Sequence, residues 1–236
     1  MPEPNVMPVK MRRMKQLLLD IVAPPAPSLG NFVVGCNAEL LHAVSELAAG
    51  RGNERQLYIW GAPSSGRTHL LQAAVAAAAA RGLEAKYHPA AAFADVADNP
   101  TADFLAVDDA DTLDAKAQVD LFNRINAVRE GHGRILVAGN AAPAQLELRI
   151  DLTTRLGWGL VYQVQALTDM EKIQALTTHA AGRGFDLQPG VADYLLRHWR
   201  RDLPSLLVAL DTLDHYSLAT KRPVTVPLLR EVLRAE

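Results

Sequence analysis

A glycine-rich segment, GAPSSGRT from Gly61 to Thr68, has the spacing of a phosphate-binding loop. Such loops follow the pattern G-x-x-x-x-G-K-[ST], in which backbone N–H groups surround phosphate and the hydroxyl binds Mg²⁺. Gly61, Gly66 and Thr68 keep their places, whereas Arg67 stands where lysine is usual. A guanidinium is planar and bulkier than an ammonium group. We therefore expect anion binding to survive at this loop and catalytic geometry around a γ-phosphate to be impaired.

Acidic and amide side chains end two predicted strands. Asp108 and Asp109 follow the apolar run FLAV, and Asn140 ends the run RILVAGN. Because ligands gather at the carboxyl ends of strands in open α/β sheets, Asp108 is predicted to hold Mg²⁺ and Asp109 to orient an attacking water. Asn140 is placed to sense a γ-phosphate. We expect the Asp108 strand to lie beside the strand before the phosphate loop, and Asp111 and Asp114 to cap the next helix.

Two further segments have more than one interpretation. Arg155, in DLTTRLGWG, is either a surface charge or an arginine finger that stabilises transition-state charge in a neighbouring subunit. The short apolar segment QLLLDI, from Gln16 to Ile21, precedes the proline-rich linker APPAPSLG. It is either a strand folded back on the domain or a linear motif that docks into an apolar groove of another protein.

The elements that would position these residues alternate between strand and helix from Gln56 onward. Apolar runs predict five strands, and amphipathic or alanine-rich runs predict helices between them, which indicates an α/β fold with a parallel sheet. After Thr168, which forms a capping-box pattern with Glu171, only helices are predicted. The expected organisation is a flexible N-terminal segment (1–27), an α/β nucleotide-binding domain (28–167) and a small helical domain (168–236). The five strand segments are QLYIWG, EAKYHP, DFLAVDDAD, RILVAGN and LVYQVQ.

Composition restricts the class of protein. The chain has 236 residues, of which 49% are hydrophobic and 21% charged, with a formal net charge of −2. This balance argues against a broad nucleic-acid surface, which needs a basic excess. Cys36 is the only cysteine, which excludes an intramolecular disulfide and a thiolate metal cluster. The sequence has no signal-peptide cleavage pattern and no apolar run long enough for a membrane span, so we expect a cytoplasmic protein.

Taken in order, these segments resemble the AAA+ ATPases of the DnaA type. GAPSSGRTHLL, FLAVDDAD, RILVAGN and TTRLGWGL resemble the Walker A, Walker B, sensor 1 and arginine-finger boxes of that family. NFVVGCNAELLHAV resembles the segment that wraps the adenine. The resemblance covers residues 28–236 and implies an AAA+ P-loop sheet domain followed by an all-helical lid. It also implies a site for ADP or ATP, with Mg²⁺ at Thr68 and Asp108. The implied nucleotide-binding residues are Val33, Val34, Gly61, Ser64, Ser65, Gly66, Arg67, Thr68, His69, Asp108, Asp109 and Asn140.

Differences from an initiator DnaA narrow the resemblance. The sequence ends where DnaA continues into its DNA-binding domain, and QLLLDI takes the place of an N-terminal helicase-interacting domain. QLLLDI is similar to the Q-L-x-L-x-[LF] peptide that docks on the bacterial sliding clamp, with Gln16, Leu17, Leu19 and Ile21 as its matching residues. The combination resembles the Hda family of DnaA-regulatory inactivators. It implies that Arg155 promotes ATP hydrolysis on DnaA, that DNA contact is indirect through the clamp, and that the chain's own hydrolysis is weak or absent.

Several alternatives stay open. Pro204 stands where DnaA proteins carry the sensor 2 arginine, after the expected N-cap Asp202, and together with Arg67 it leaves an empty, structural nucleotide site as an alternative. The protein could also be an adaptor that recruits a partner without stimulating hydrolysis. A self-sufficient ATPase, such as a helicase loader, is disfavoured by Arg67 and Pro204. AAA+ surfaces allow a homodimer, which would hide Arg155. Leu18 and Asp20 depart from the commoner clamp peptide and predict modest clamp affinity.

Overall fold

The computed structural model describes residues 25–96, 102–131 and 133–233. The predicted clamp peptide, with Gln16, Leu17, Leu19 and Ile21, lies outside these ranges. Within them, no helix is long and apolar enough to cross a membrane.

A five-stranded parallel sheet forms the centre of the α/β region, and each strand lies within a segment predicted from the sequence. The strands are β1 (Gln56–Trp60), β2 (Ala85–Pro89), β3 (Phe104–Asp108), β4 (Arg134–Gly139) and β5 (Leu160–Gln163). Their order in the sheet is β2-β3-β4-β1-β5. The prediction that the Asp108 strand neighbours β1 is therefore wrong, because β4 lies between them. Both β3 and β4 are buried apolar strands, so their composition does not decide which one pairs with β1.

Helices cover both faces of the sheet. Alternation along β1 shows how: Leu57 and Ile59 join the hydrophobic cluster with α1 and α2, whereas Tyr58 joins the cluster with α3 and α4. This follows from the period of two in a strand, which sends successive side chains to opposite faces. The α/β fold with a parallel sheet is thus confirmed. The helices of this region are α1 (Ala38–Ala48), α2 (Arg67–Ala79), α3 (Ala115–Arg129) and α4 (Ile150–Leu156).

Four more helices pack around a third hydrophobic cluster, to which each contributes apolar side chains. They are α5 (Asp169–Gly182), α6 (Pro189–His198), α7 (Leu203–Thr220) and α8 (Val226–Leu233). The capping box before α5 is confirmed, since Thr168 accepts from the Glu171 N–H and the Glu171 carboxylate accepts from the Thr168 N–H. Asp202 caps α7 as predicted, with Pro204 in its first turn. Arg201 pairs with Asp169 at 2.8 Å.

Candidate nucleotide site and arginine finger

The glycine-rich loop connects β1 to α2, as a phosphate-binding loop requires. Two of its residues have left-handed backbone conformations, Ser64 with φ of 62° and Gly66 with φ of 106°. A Cβ atom at Gly66 would also lie 3.0 Å from the Phe32 ring, and one at Gly61 would lie 2.7 Å from the Val164 carbonyl oxygen. Gly66 precedes α2 without a side-chain cap, so the first-turn N–H groups of α2 remain open to an anion.

Two buried polar side-chain atoms of this loop lack a hydrogen-bond partner. Within the described ranges, the Oγ atom of Ser65 and the Nη1 atom of Arg67 are buried and accept or donate no hydrogen bond. The Arg67 side chain is only 12% exposed, and its Nη2 atom lies 3.6 Å from Asp109 Oδ1. Buried polar groups are costly when they are unsatisfied, particularly when charged. An anionic ligand would satisfy both atoms, so the residues present fit a bound phosphate.

The carboxylate of Asp108 is fixed at the end of β3. It is buried, and it accepts hydrogen bonds of 3.0 Å from the Tyr87 hydroxyl and from the Asp109 N–H. Burial and the neighbouring Asp108 charge raise the pKa of Tyr87 to about 12, so its hydroxyl remains a donor at neutral pH. Asp109 follows with φ of 48°, in the left-handed region, and its side chain is half exposed. Burial, together with the Asp108 charge, raises the pKa of Asp109, while Arg67 opposes this shift.

Asp111 has a different role from the one predicted. It does not cap α3; its carboxylate accepts a 2.9 Å hydrogen bond from the Asn140 N–H and so connects the turn after β3 to the end of β4. Asp114 alone caps α3, by accepting from the Ala117 N–H. The reason is that Asp111 lies in a short 3₁₀ turn that ends before α3 begins. The Asn140 side chain is exposed at the same sheet edge as Asp109.

The expected adenine segment packs against the first turn of α2. The His69 ring contacts the Ser28 carbonyl at 3.1 Å and the Phe32 ring at a centroid distance of 5.7 Å. His69 therefore anchors this segment, in which Val33 and Val34 are half-buried. Thr68, by contrast, is exposed at the start of α2.

The same segment is also connected to the chain that leads into the helical region. The Asn37 side chain donates to the Gln165 carbonyl at 2.9 Å and accepts from the Gln165 N–H at 2.7 Å. A Cβ atom at Gly35 would meet the Leu167 side chain at 2.8 Å. The adenine segment and the junction with α5 thus lie in direct contact.

Arg155 lies in the last turn of α4, away from the phosphate loop. Its guanidinium carbon lies 3.6 Å from the centroid of the Trp158 ring, and that of Arg129 lies 3.9 Å from the same residue's ring. In the part of the chain that the structure describes, no carboxylate pairs with Arg155. The Arg155 carbonyl accepts a 2.7 Å hydrogen bond from the side chain of Gln56, which begins β1.

The structure separates Arg155 from the other site residues. Gln56 and the phosphate loop lie at opposite ends of β1, about 13 Å apart at the usual rise of a strand. The loop, Asp108, Asp109 and Asn140 share the carboxyl end of the sheet, whereas the Arg155 backbone is held at its amino end. Sequence reasoning missed the contacts that Gln56 and Phe122 make with Arg155 from other elements. It also missed Arg129, whose guanidinium shares the Trp158 ring. The i, i+3 spacing of Arg155 and Trp158 was the one available signal.

The fold and the loop together define an AAA+ protein of the P-loop class. Residues 26–163 match the family model of the bacterial DnaA ATPase domain, and residues 169–233 match that of the Hda lid domain. The chain belongs to the bacterial DnaA ATPase-domain family. It is a DnaA-like AAA+ protein of the Hda type, a DnaA-related replication regulator.

Solved structures share this fold. Domain III of the Thermotoga maritima initiation protein DnaA is 24% identical, with a TM-score of 0.75 over 90% of this chain and 98% of that chain. AMPPCP-bound DnaA from Aquifex aeolicus is 22% identical, with a TM-score of 0.69 over 84% of this chain and 71% of that chain. Thermotoga maritima RuvB is 15% identical, with a TM-score of 0.62 over 90% and 72% of the two chains. At these identities the similarity concerns the fold alone.

Proposed function

We propose that this protein is a negative regulator of DNA replication initiation. Bound to the DNA-loaded sliding clamp through its N-terminal peptide, it stimulates hydrolysis of ATP on the initiator DnaA and leaves inactive DnaA-ADP. Arg155 is the finger that enters the DnaA nucleotide site. The observation that carries this proposal is the position of Arg155, whose guanidinium has no carboxylate partner among the described residues and whose backbone lies far from the chain's own phosphate loop.

The charge of Arg155 explains how it would act. Negative charge spreads over the transferred phosphoryl oxygens in the transition state, and a guanidinium placed there lowers its free energy. Fingers supplied in trans accelerate hydrolysis by about 10³–10⁵-fold. An arginine already neutralised by a carboxylate would first have to break that ion pair. Arg155 has no such ion pair among the described residues.

The chain's own nucleotide site has a separate role in this proposal. Ser65 and Arg67 would contact phosphate, Thr68 and Asp108 would hold Mg²⁺, and ADP would act as a conformational ligand. The match to the bacterial DnaA ATPase domain and the two buried loop atoms without a hydrogen-bond partner support adenine-nucleotide binding. Arg67 lies beside Asp109, the residue that would orient an attacking water, and this ion pair favours weak hydrolysis by the chain itself.

The first test measures hydrolysis of DnaA-bound ATP in the presence of DNA-loaded clamp. Wild type is compared with Arg155→Ala, and Arg149→Ala is the control, since Arg149 precedes the same helix but pairs with Asp151 at 2.7 Å. We expect Arg155→Ala to lose stimulation while it still binds DnaA, and Arg149→Ala to retain it. Equal hydrolysis with Arg155→Ala would exclude the finger. No stimulation by wild type would favour the adaptor function instead.

A second test concerns the nucleotide. Calorimetric titration of wild type with ADP should show binding, and Arg67→Ala should weaken it at least about tenfold because a charge-assisted contact is lost. Absence of binding by wild type would establish the empty-site alternative. Substantial ATP hydrolysis by wild type alone that Asp109→Asn abolishes would contradict the assignment of catalysis to DnaA.

A further inference from the structure

The indole of Trp158 contacts two guanidinium groups at once, those of Arg155 and Arg129. Trp158 is 47% exposed, so its ring is not explained by burial in a core. We propose that Trp158 is a positioning residue for Arg155: its ring holds the guanidinium in the direction in which the finger meets a partner's phosphate. This inference rests on the proposed function of Arg155.

The backbone of Arg155 is already fixed by other contacts. The side-chain amide of Gln56, a buried residue, donates to the Arg155 carbonyl at 2.7 Å and lies 3.4 Å from the Leu156 carbonyl. Gly159 lies so close to Gln56 that a Cβ atom there would clash with the Gln56 carbonyl oxygen. Since the end of α4 cannot move freely, the direction of the finger depends on the rotamers of the Arg155 side chain.

Trp158 is well placed to select among those rotamers. The backbone N–H of Trp158 donates to the Arg155 carbonyl at 3.1 Å, which keeps the ring near the finger's backbone. A cation over an indole face at a solvent-exposed site is favoured by an amount equivalent to about a two- to fivefold change in population. A long side chain that is ordered beforehand loses less conformational entropy when it enters the neighbouring site.

Arg129 allows the Arg155 guanidinium to leave the Trp158 ring. It lies in the last turn of α3, and its guanidinium contacts the same ring as that of Arg155. Two like charges on one ring repel each other, which weakens the hold on Arg155. Arg155 can then leave for a phosphate group while Arg129 continues to cover the indole. Positioning without tight retention is what a finger that acts on a separate subunit requires.

The test uses full-length protein in the clamp-dependent DnaA assay, with the concentration of this protein varied. We expect Trp158→Leu to lower the saturating rate about two- to fivefold and to leave the half-saturating concentration unchanged, because positioning affects the transition state. Trp158→Phe should retain most of the rate, since an aromatic face remains. Ile150→Ala is the control: Ile150 is 83% exposed on the same helix, so this variant removes exposed apolar surface without changing Trp158.

A second readout does not depend on activity. In the NMR spectrum of the full chain, the Nε–Hε signal of Arg155 should be displaced by the ring current of Trp158. It should return toward the position of a free arginine in Trp158→Leu but not in Ile150→Ala. An Arg155 signal that is already at the free position in wild type would overturn the inference.

The outcomes separate this inference from the proposed function. Equal stimulation by wild type and Arg155→Ala overturns the proposed function, and the inference with it. If Arg155→Ala abolishes stimulation but Trp158→Leu changes neither the rate nor the half-saturating concentration, only the inference is overturned. If Trp158→Leu changes the half-saturating concentration alone, Trp158 is a docking residue and the inference is again wrong.

Discussion

Two arginine–aspartate ion pairs in the helical region have the same nitrogen–oxygen distance but differ in burial. We therefore expect substitutions in the two pairs to lower the free energy of unfolding by different amounts. Arg183 lies 2.8 Å from Asp214, with side chains 30% and 10% exposed, and also 3.3 Å from Asp211. Arg201 lies 2.8 Å from Asp169, with side chains 66% and 55% exposed. The hydrogen bond with Asp214 raises the pKa of Arg183, as expected for a stabilised cation.

Burial sets the magnitude of each effect. Removing one partner of a fully buried ion pair costs about 3–5 kcal/mol, because the other charge is left uncompensated. Since Arg183 remains nearly a third exposed and His179 still contacts Asp211 at 2.7 Å, we expect Arg183→Met to destabilise the fold by about 2 kcal/mol. Arg201→Met removes a surface pair and should cost about 0–1 kcal/mol.

Urea denaturation and thermal melting, both followed by circular dichroism, would measure these costs. For a chain of this length, Arg183→Met should lower the melting temperature by about 4–8 °C, and Arg201→Met by no more than about 4 °C. The double variant Arg183→Met, Asp214→Asn should regain part of the loss, because one buried charge is removed with its partner. If Arg183→Met costs no more than Arg201→Met, burial does not control the strength of these pairs and the reasoning is wrong.

Three further predictions concern single residues. Gly139→Ala should lower the free energy of unfolding by about 1–3 kcal/mol in a denaturation experiment, because the new methyl group would clash with the hydroxyl of Tyr58, a buried side chain. Gly190→Ala is the control: its new methyl group would have its nearest neighbour at 3.7 Å, so the free energy of unfolding should stay unchanged or rise by up to about 1 kcal/mol. Burial lowers the pKa of His88, so the unfolded chain takes up its proton first as the pH falls; wild type should lose stability below about pH 6.5, and this component should be absent in His88→Phe. Thr168→Ala should lower stability by about 1 kcal/mol in the same assay through loss of the capping box, and an unchanged midpoint would contradict that role.

Local patterns predicted the elements well, because the interactions that form them are local. The capping box at Thr168 and Glu171 needs only residues three positions apart, and the strand that begins at Gln56 is marked by its own apolar run. The order of the strands in the sheet, by contrast, does not follow from local patterns. β3 and β4 are both buried on their two faces, and only long-range packing places β4 beside β1.

In the candidate site, too, local patterns predicted some positions but not the long-range contacts. Motif spacing placed Asp108 and Asn140 at one edge of the sheet, where the structure has them. It did not predict that Asp111 binds the Asn140 N–H, because this bond depends on how the turn after β3 folds back. The contact between Gln56 and Arg155 joins residues 99 positions apart, and no periodic pattern marks it.

The contact between Asn37 and Gln165 has a consequence for solubility. β5 is an outer strand of the sheet, and outer strands expose N–H and C=O groups that can recruit a strand from another molecule. The Asn37 amide engages both main-chain groups of Gln165, just beyond the end of β5, as one residue of an additional strand would. β5 itself has only four residues, so little of its edge is left for a further strand. A single side chain therefore helps to protect the open side of the sheet against edge-to-edge aggregation.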